Sequence, residues 1–210
     1  MTDGVRALPD PLDTARRLVT ERFPDAKAAW LSGSVVSGRA TSTSDLDVVV
    51  VTDEVEVHRE SVVYDGWPVE LFVHTADSVR AFVTQDRLRR RPTMARLVAD
   101  SVSLMGGAGA AIDDLEAECR AAVAAGPEPL DEGQLEALRY GLTDLLDDLA
   151  GGGPPEEKAA VAVAVWQATV ELRLVVGDRW GVPASGWFES WRSTTARLAP
   201  TTPHGSTGRW

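Results

Sequence analysis

The stretch Trp30-Leu31-Ser32-Gly33-Ser34-Val35-Val36-Ser37-Gly38-Arg39-Ala40-Thr41-Ser42-Thr43-Ser44-Asp45-Leu46-Asp47-Val48-Val49-Val50-Val51 stands apart from the rest of the chain. Leu46 to Val51 is a β-branched run and reads as a buried strand. Side chains alternate along a strand, so Asp45 and Asp47 project from one face while Leu46, Val48 and Val50 anchor the other. Two carboxylates side by side at the start of an apolar strand repel each other and lose hydration unless a cation neutralises them. Oxygen-only donors of this kind suit Mg²⁺, which commonly takes one or two carboxylates together with substrate phosphates. Upstream, Gly33-Ser34 lies between the apolar segment Ala28 to Leu31 and an expected short helix. Glycine there lets backbone N–H groups approach an anion, and a helix N-terminus favours negative charge. A phosphate cradle and metal carboxylates are therefore close in sequence.

Glu60 to Tyr64 and Trp67 to His74 flank Asp65-Gly66, a strong hairpin signal. On the second of these strands Glu70, Phe72 and His74 share one face, and Val69, Leu71 and Val73 share the other. A glutamate between Val69 and Leu71 is costly unless it meets a cation. If this strand lies beside Leu46–Val51, Glu70 completes a three-carboxylate site. An amphipathic helix is expected over Asp13 to Phe23, ended by Pro24, and two more over Asp77–Arg89 and Thr93–Leu104. Beyond the break at Gly106-Gly107 and Gly109 only helices are expected: Ile112–Ala125, Asp131–Leu149, Glu156–Trp180 and Trp187–Leu198. The reading is an α+β domain over residues 1–105, a helical domain over 106–199 and a flexible tail over 200–210.

The 210 residues are 44% hydrophobic and 25% charged, which excludes a disordered chain. Lys and Arg number 21 against 32 Asp and Glu, a net charge of −11 that argues against a general nucleic-acid binder. The first 105 residues carry −3 and the remainder −8, which suits either a cationic partner or a solvated acidic surface. Cys119 is the only cysteine, has no internal disulfide partner, and reads as a small buried hydrophobe. His58, His74 and His204 are too scattered to build a metal cluster with it. The N-terminus has no signal pattern and no apolar run approaches the roughly 18 residues of a membrane span. A soluble cytoplasmic protein without a membrane partner is the expectation.

Gly33-Ser34, a spacer, Asp45-Leu46-Asp47 on a strand and Glu70 on a later strand together resemble the DNA polymerase β-like nucleotidyltransferase superfamily. The resemblance covers residues 28–75. Gly38, Thr41 and Ser44-Asp45 look like the bacterial branch that includes antibiotic nucleotidyltransferases and the minimal nucleotidyltransferases. It implies a small mixed β-sheet with flanking helices, followed by a C-terminal helical bundle. It also implies transfer of a nucleoside monophosphate from an NTP, with ATP expected, to an acceptor hydroxyl, releasing pyrophosphate. In that reading Asp45, Asp47 and Glu70 are the catalytic residues and hold one or two Mg²⁺ ions. Gly33 and Ser34 bind phosphate oxygens, Ser44 caps or orients the metal loop, and Arg39 either contacts phosphate or stays solvated.

In antibiotic-modifying relatives a helical domain supplies much of the acceptor site. Here Tyr140, Asp144, Asp147 and Asp148 lie on one helix, and Glu171 interrupts a very apolar one. The bland alternatives are a solvated helical face for the aspartates and a buried pair with Arg173 or Arg139 for Glu171. Trp166, Trp180, Trp187 and Trp191 read as packing residues, and the Arg87, Arg89, Arg90, Arg91, Arg96 cluster as a solvated helix end. The leading acceptor is a small molecule, an aminoglycoside-like antibiotic. The competing readings are a protein or tRNA acceptor of toxin–antitoxin type, and a catalytically silent nucleotide-binding relative. Some relatives build their site across a dimer, so a homodimer stays open.

Overall fold

The computed structural model describes residues 8–53, 56–106 and 109–181. The chain divides into two compact units, Met1–Glu128 and Pro129–Trp210.

The first unit opens with α1 (Pro11–Arg22). Asp10 caps it by accepting the Asp13 N–H at 2.9 Å, and Pro11 takes the first turn, where its missing N–H costs nothing. Strands β1 (Ala28–Ser32), β2 (Leu46–Val51), β3 (His58–Tyr64) and β4 (Trp67–His74) follow. Helices α2 (Ala76–Leu88) and α3 (Thr93–Ala99), the short β5 (Val102–Ser103) and α4 (Ala110–Ala125) complete the unit. The sheet order is β3-β4-β2-β1-β5. Among the described residues only β2 and β4 pair in parallel; β1 with β2, β1 with β5, and β3 with β4 are antiparallel. The expected mixed sheet with flanking helices is the fold observed.

Strand alternation sorts the core into two layers. Ala29, Leu31, Leu46, Val48, Val50, Val69, Leu71 and Val73 face Ala15, Leu18 and Val19 of α1. On the other face Ala28, Trp30, Val49 and Val51 pack with Val79, Met94, Val98, Ile112, Leu115 and Cys119 of α2, α3 and α4. Full burial of each such Val or Leu contributes roughly 1.5–3 kcal/mol, so this two-sided sandwich fixes β2 firmly at the centre of the sheet. Trp30 is buried with its indole N–H donated to Glu116 Oε1 at 2.8 Å. Cys119 is buried as expected, and burial pushes its thiol up to about 11.

Two local expectations change. The helix read over Thr93–Leu104 stops at Ala99, and Val102–Ser103 instead pairs with β1, the Leu104 N–H reaching the Ala29 carbonyl at 2.9 Å. The division between units falls after Glu128 rather than near Gly106. The cause is α4, whose apolar stripe of Ile112, Leu115 and Cys119 completes the core under the sheet.

In the second unit α5 (Glu132–Gly151) and α6 (Pro155–Val176) pack against each other across the turn at Gly152, Gly153 and Pro154. Asp131 and Gln134 form a reciprocal capping box at the start of α5. Helix α6 ends at Val176 rather than at Trp180, where the Gly177 N–H closes onto Arg173 O. By length and composition alone α6 is apolar enough to cross a membrane, against the expectation of no such stretch. Counting uninterrupted runs missed it because Gln167, Glu171 and Arg173 break the run while Ala and Val keep the average high. The expected helix Trp187–Leu198 and the tail over 200–210 lie outside the described residues.

Candidate active site

Three acids converge because of one strand pairing. The parallel register of β2 and β4 sets Leu46 opposite Val69, Asp47 opposite Glu70 and Val48 opposite Leu71. Asp47 and Glu70 therefore point to the same face, and Asp45 follows two residues before Asp47. One carboxylate oxygen from each of Asp45, Asp47 and Glu70 lies within 4.8 Å of the others, and all three residues are part-buried. The conditional placement of Glu70 beside Leu46–Val51 is met.

Gly33 follows β1, whose Ser32 pairs with Asp47. Its φ of +83° is readily adopted only by glycine, and a Cβ at this position would stand 2.2 Å from Asp47 Oδ2. Glycine is required here for the carboxylate to occupy its place. The segment after it is a pair of turns rather than a short helix, with the Ser37 N–H on Gly33 O at 3.2 Å and the Arg39 N–H on Ser34 O at 2.9 Å. Ser34 Oγ donates to Ser44 Oγ at 2.7 Å, and Ser44 Oγ accepts the Thr41 N–H at 2.9 Å. Ser44 thus ties the far end of the loop to Ser34. Arg39 is exposed, its Nε donated to Ser37 Oγ at 3.2 Å.

Glu70 has two partners that sequence reading did not find. Arg59 donates to Oε2, and Ser61 Oγ donates to Oε1 at 3.3 Å. Both come from β3, where Arg59 pairs with Phe72 and Ser61 with Glu70. A signal was present. Asp65 and Gly66, with φ of 50° and 88°, make a two-residue hairpin turn, and that loop length alone fixes which β3 residue faces Glu70.

Burial pushes the Asp47 carboxyl up to about 6, with the negative charges of Asp45 and Glu70 adding to it and Arg59 partly offsetting them. The group ionises near 3.8 when unfolded, so between about pH 4 and 6 the folded state holds the extra proton. Stability of the metal-free protein accordingly falls as pH rises through that window. A divalent cation binds the charged form and opposes this loss. The thermal midpoint is expected to rise with MgCl₂ at about pH 7.5 and hardly at all at about pH 5. Equal Mg²⁺ shifts at both pH values would contradict this assignment. Three hard oxygen donors on part-buried acids, with one cation among them, are a donor set that such an ion takes.

A groove of about 360 Å³ adjoins the acids, lined by Asp45, Ser61, Val62, Val63, Pro68 and Glu70 among others. In the second unit Tyr140, Asp144, Asp147 and Asp148 are exposed along α5. Glu171 is exposed on α6 rather than buried with a basic partner, on a helix half of whose residues are exposed, and Arg139 pairs with Glu136 at 2.7 Å. Trp166 and Trp180 are half-buried; Trp187 and Trp191 lie outside the described residues. Within the arginine cluster Arg87 pairs with Glu128 at 3.1 Å and buried Arg90 donates to the Glu128 carbonyl. Those two fasten the end of the first unit, while Arg89, Arg91 and Arg96 are exposed.

Residues 12–97 match the family model described as "Nucleotidyltransferase domain". No curated protein matches the chain. Among solved structures it is similar to a nucleotidyltransferase-like protein from Exiguobacterium sibiricum, with 11% identity and a TM-score of 0.47. That likeness covers 89% of this chain and 62% of the other, so the chain spans less than two thirds of its length.

Proposed function

We propose that the chain transfers a nucleoside monophosphate from an NTP, ATP first among them, to a hydroxyl of a small molecule, a reading that the match of residues 12–97 to the nucleotidyltransferase domain model supports. The observation that carries this reading is the Asp47–Glu70 register, which brings three acids together beside Gly33. In the reaction the acceptor hydroxyl gives up its proton to solvent, its oxygen forms a bond to the α-phosphorus, the bond from that phosphorus to the bridging oxygen breaks, and pyrophosphate leaves. A divalent ion, Mg²⁺ by its preference for oxygen donors, would neutralise triphosphate charge and align the displacement when held by Asp45, Asp47 and Glu70.

The chain's own contribution is position. The two-layer core holds β2 rigid, so Asp45 and Asp47 need little reorganisation to act together. The loop from Gly33 to Ser44, tied at both ends by the serine pair, presents backbone N–H groups for phosphate oxygens. The groove beside Glu70 offers room for the acceptor on the same face. The acidity of the C-terminal half, with exposed Tyr140, Asp144, Asp148 and Glu171, supports a cationic acceptor of the aminoglycoside kind.

The test is incubation of the full chain with MgCl₂, α-labelled ATP and a panel of aminoglycosides, lincosamides and candidate proteins. A labelled small molecule and released pyrophosphate are expected. Label appearing only on protein would move the acceptor to the macromolecular class, and no label with any NTP would overturn the reading.

A further inference from the structure

Glu70 enters the acid cluster already occupied. Its Oε2 accepts from Arg59 and its Oε1 from Ser61, while among the described residues no lysine or arginine pairs with Asp45 or Asp47. Arg59 is thus the one basic side chain, among those described, that binds an acid of the cluster directly. Its guanidinium also lies over the Phe72 ring, 5.1 Å from the centroid. The antiparallel register explains both contacts: Arg59 pairs with Phe72 and Ser61 with Glu70, so all four side chains stand on the face that carries Asp47. The pair is asymmetric in exposure. The Glu70 side chain is 20% exposed and that of Arg59 62%, so the cation covers the acid from the solvent side and can leave without disturbing the core.

Resting on the nucleotidyltransferase reading above, we propose that Arg59 is a resident counterion of the acid cluster that would hold the metal. It neutralises Glu70 until a divalent cation displaces it, and so sets the concentration at which Glu70 becomes a ligand. Two cations cannot both have full use of one carboxylate, so ion binding at Glu70 must break or weaken the Arg59 contact. The Phe72 ring then gives the displaced guanidinium somewhere to rest, since a cation over an aromatic face is favoured by the ring's quadrupole. Arg59 is a positioning residue in this scheme: it acts on the ion through Glu70. Without it, three acids within 4.8 Å would face each other unshielded, and the site would hold any available divalent cation more tightly.

The test is Mn²⁺ binding to the nucleotide-free full chain, followed by the paramagnetic resonance signal of free Mn²⁺. Arg59→Gln is expected to bind Mn²⁺ about five- to tenfold more tightly than the parent, the range that loss of a half-exposed competing ion pair and one nearby positive charge gives. Arg59→Lys, which keeps the charge, should stay within about twofold of the parent. Lys27→Gln, which removes a cation paired with Asp53 at the other end of β2, should leave the affinity unchanged. The gain should also vanish in the Glu70→Gln background, where the competition no longer exists. Equal or weaker binding by Arg59→Gln, or an equal gain from Lys27→Gln, overturns the proposal and leaves the function reading intact. Failure of both the parent and Arg59→Gln to bind Mn²⁺ overturns both. Thermal melts of each variant are the control for folding, and midpoints close to the parent's are expected for the exposed Arg59 and Lys27.

Discussion

Asp47→Asn is expected to reduce nucleotidyl transfer by about a thousandfold or more while raising the thermal midpoint of the metal-free protein near pH 7.5 by roughly 4–8 °C. The two effects have one cause. Burial beside Asp45 and Glu70 makes the charged Asp47 carboxylate unfavourable, and only a bound cation turns that charge to use. Asparagine keeps the shape, loses the charge, and so removes both the cost and the ligand. A substitution that stabilises the empty protein and silences the enzyme marks a functional acid, since the same change at a structural ion pair would destabilise. Retained turnover, or a lowered midpoint in the metal-free state, would reject the place given to Asp47.

The second large effect is expected at Gly33. A Cβ 2.2 Å from Asp47 Oδ2 cannot be accommodated without moving the carboxylate, and a φ of +83° adds backbone strain of about 1–2 kcal/mol for any other residue. Gly33→Ala should therefore lower the thermal midpoint and cut kcat about a hundredfold, the size of loss that a displacement near 1 Å brings. Gly38 supplies the comparison. Its φ is +71°, yet no atom lies within 4 Å of where its Cβ would be. Gly38→Ala should share the loss of stability and keep most of the activity. Similar activities in the two variants would show that the contact with Asp47 does not matter to catalysis.

The parts of this molecule that sequence reveals are those where one local pattern has one structural solution. Leu46–Val51 reads as a strand because no other element suits a β-branched run, and Asp65-Gly66 reads as a hairpin because few other dipeptides accept its backbone. The acid trio followed from alternation on those two strands once their neighbourhood was assumed. That β2 and β4 pair in parallel is a tertiary fact, decided by the shared α1-facing core rather than by either strand alone. Helix α4 shows the same limit. Ile112, Leu115 and Cys119 announce an apolar stripe and say nothing about which neighbour covers it, so the first unit ended too early in the reading. β5 was absorbed into a helix because two residues carry no period of their own. Gly33 carries a second requirement beyond room for an anion, which only the fold reveals: room for the Asp47 carboxylate.

The pairing of Asp47 with Glu70 ties the fate of the chemistry to that of the grease. A shift of β4 by a single position against its neighbour would turn Glu70 toward α1 and bring Val69 or Leu71 out beside Asp47, emptying the interior and dismantling the ligand set together. Purging misregistered molecules for their poor stability therefore also purges inactive ones. Lengthening the hairpin tip between Tyr64 and Trp67 has a different result: it slides Arg59 away from Glu70 and leaves the acids where the interior holds them. Evolution can thus retune the shielding of this cluster through loop length without touching the cluster itself.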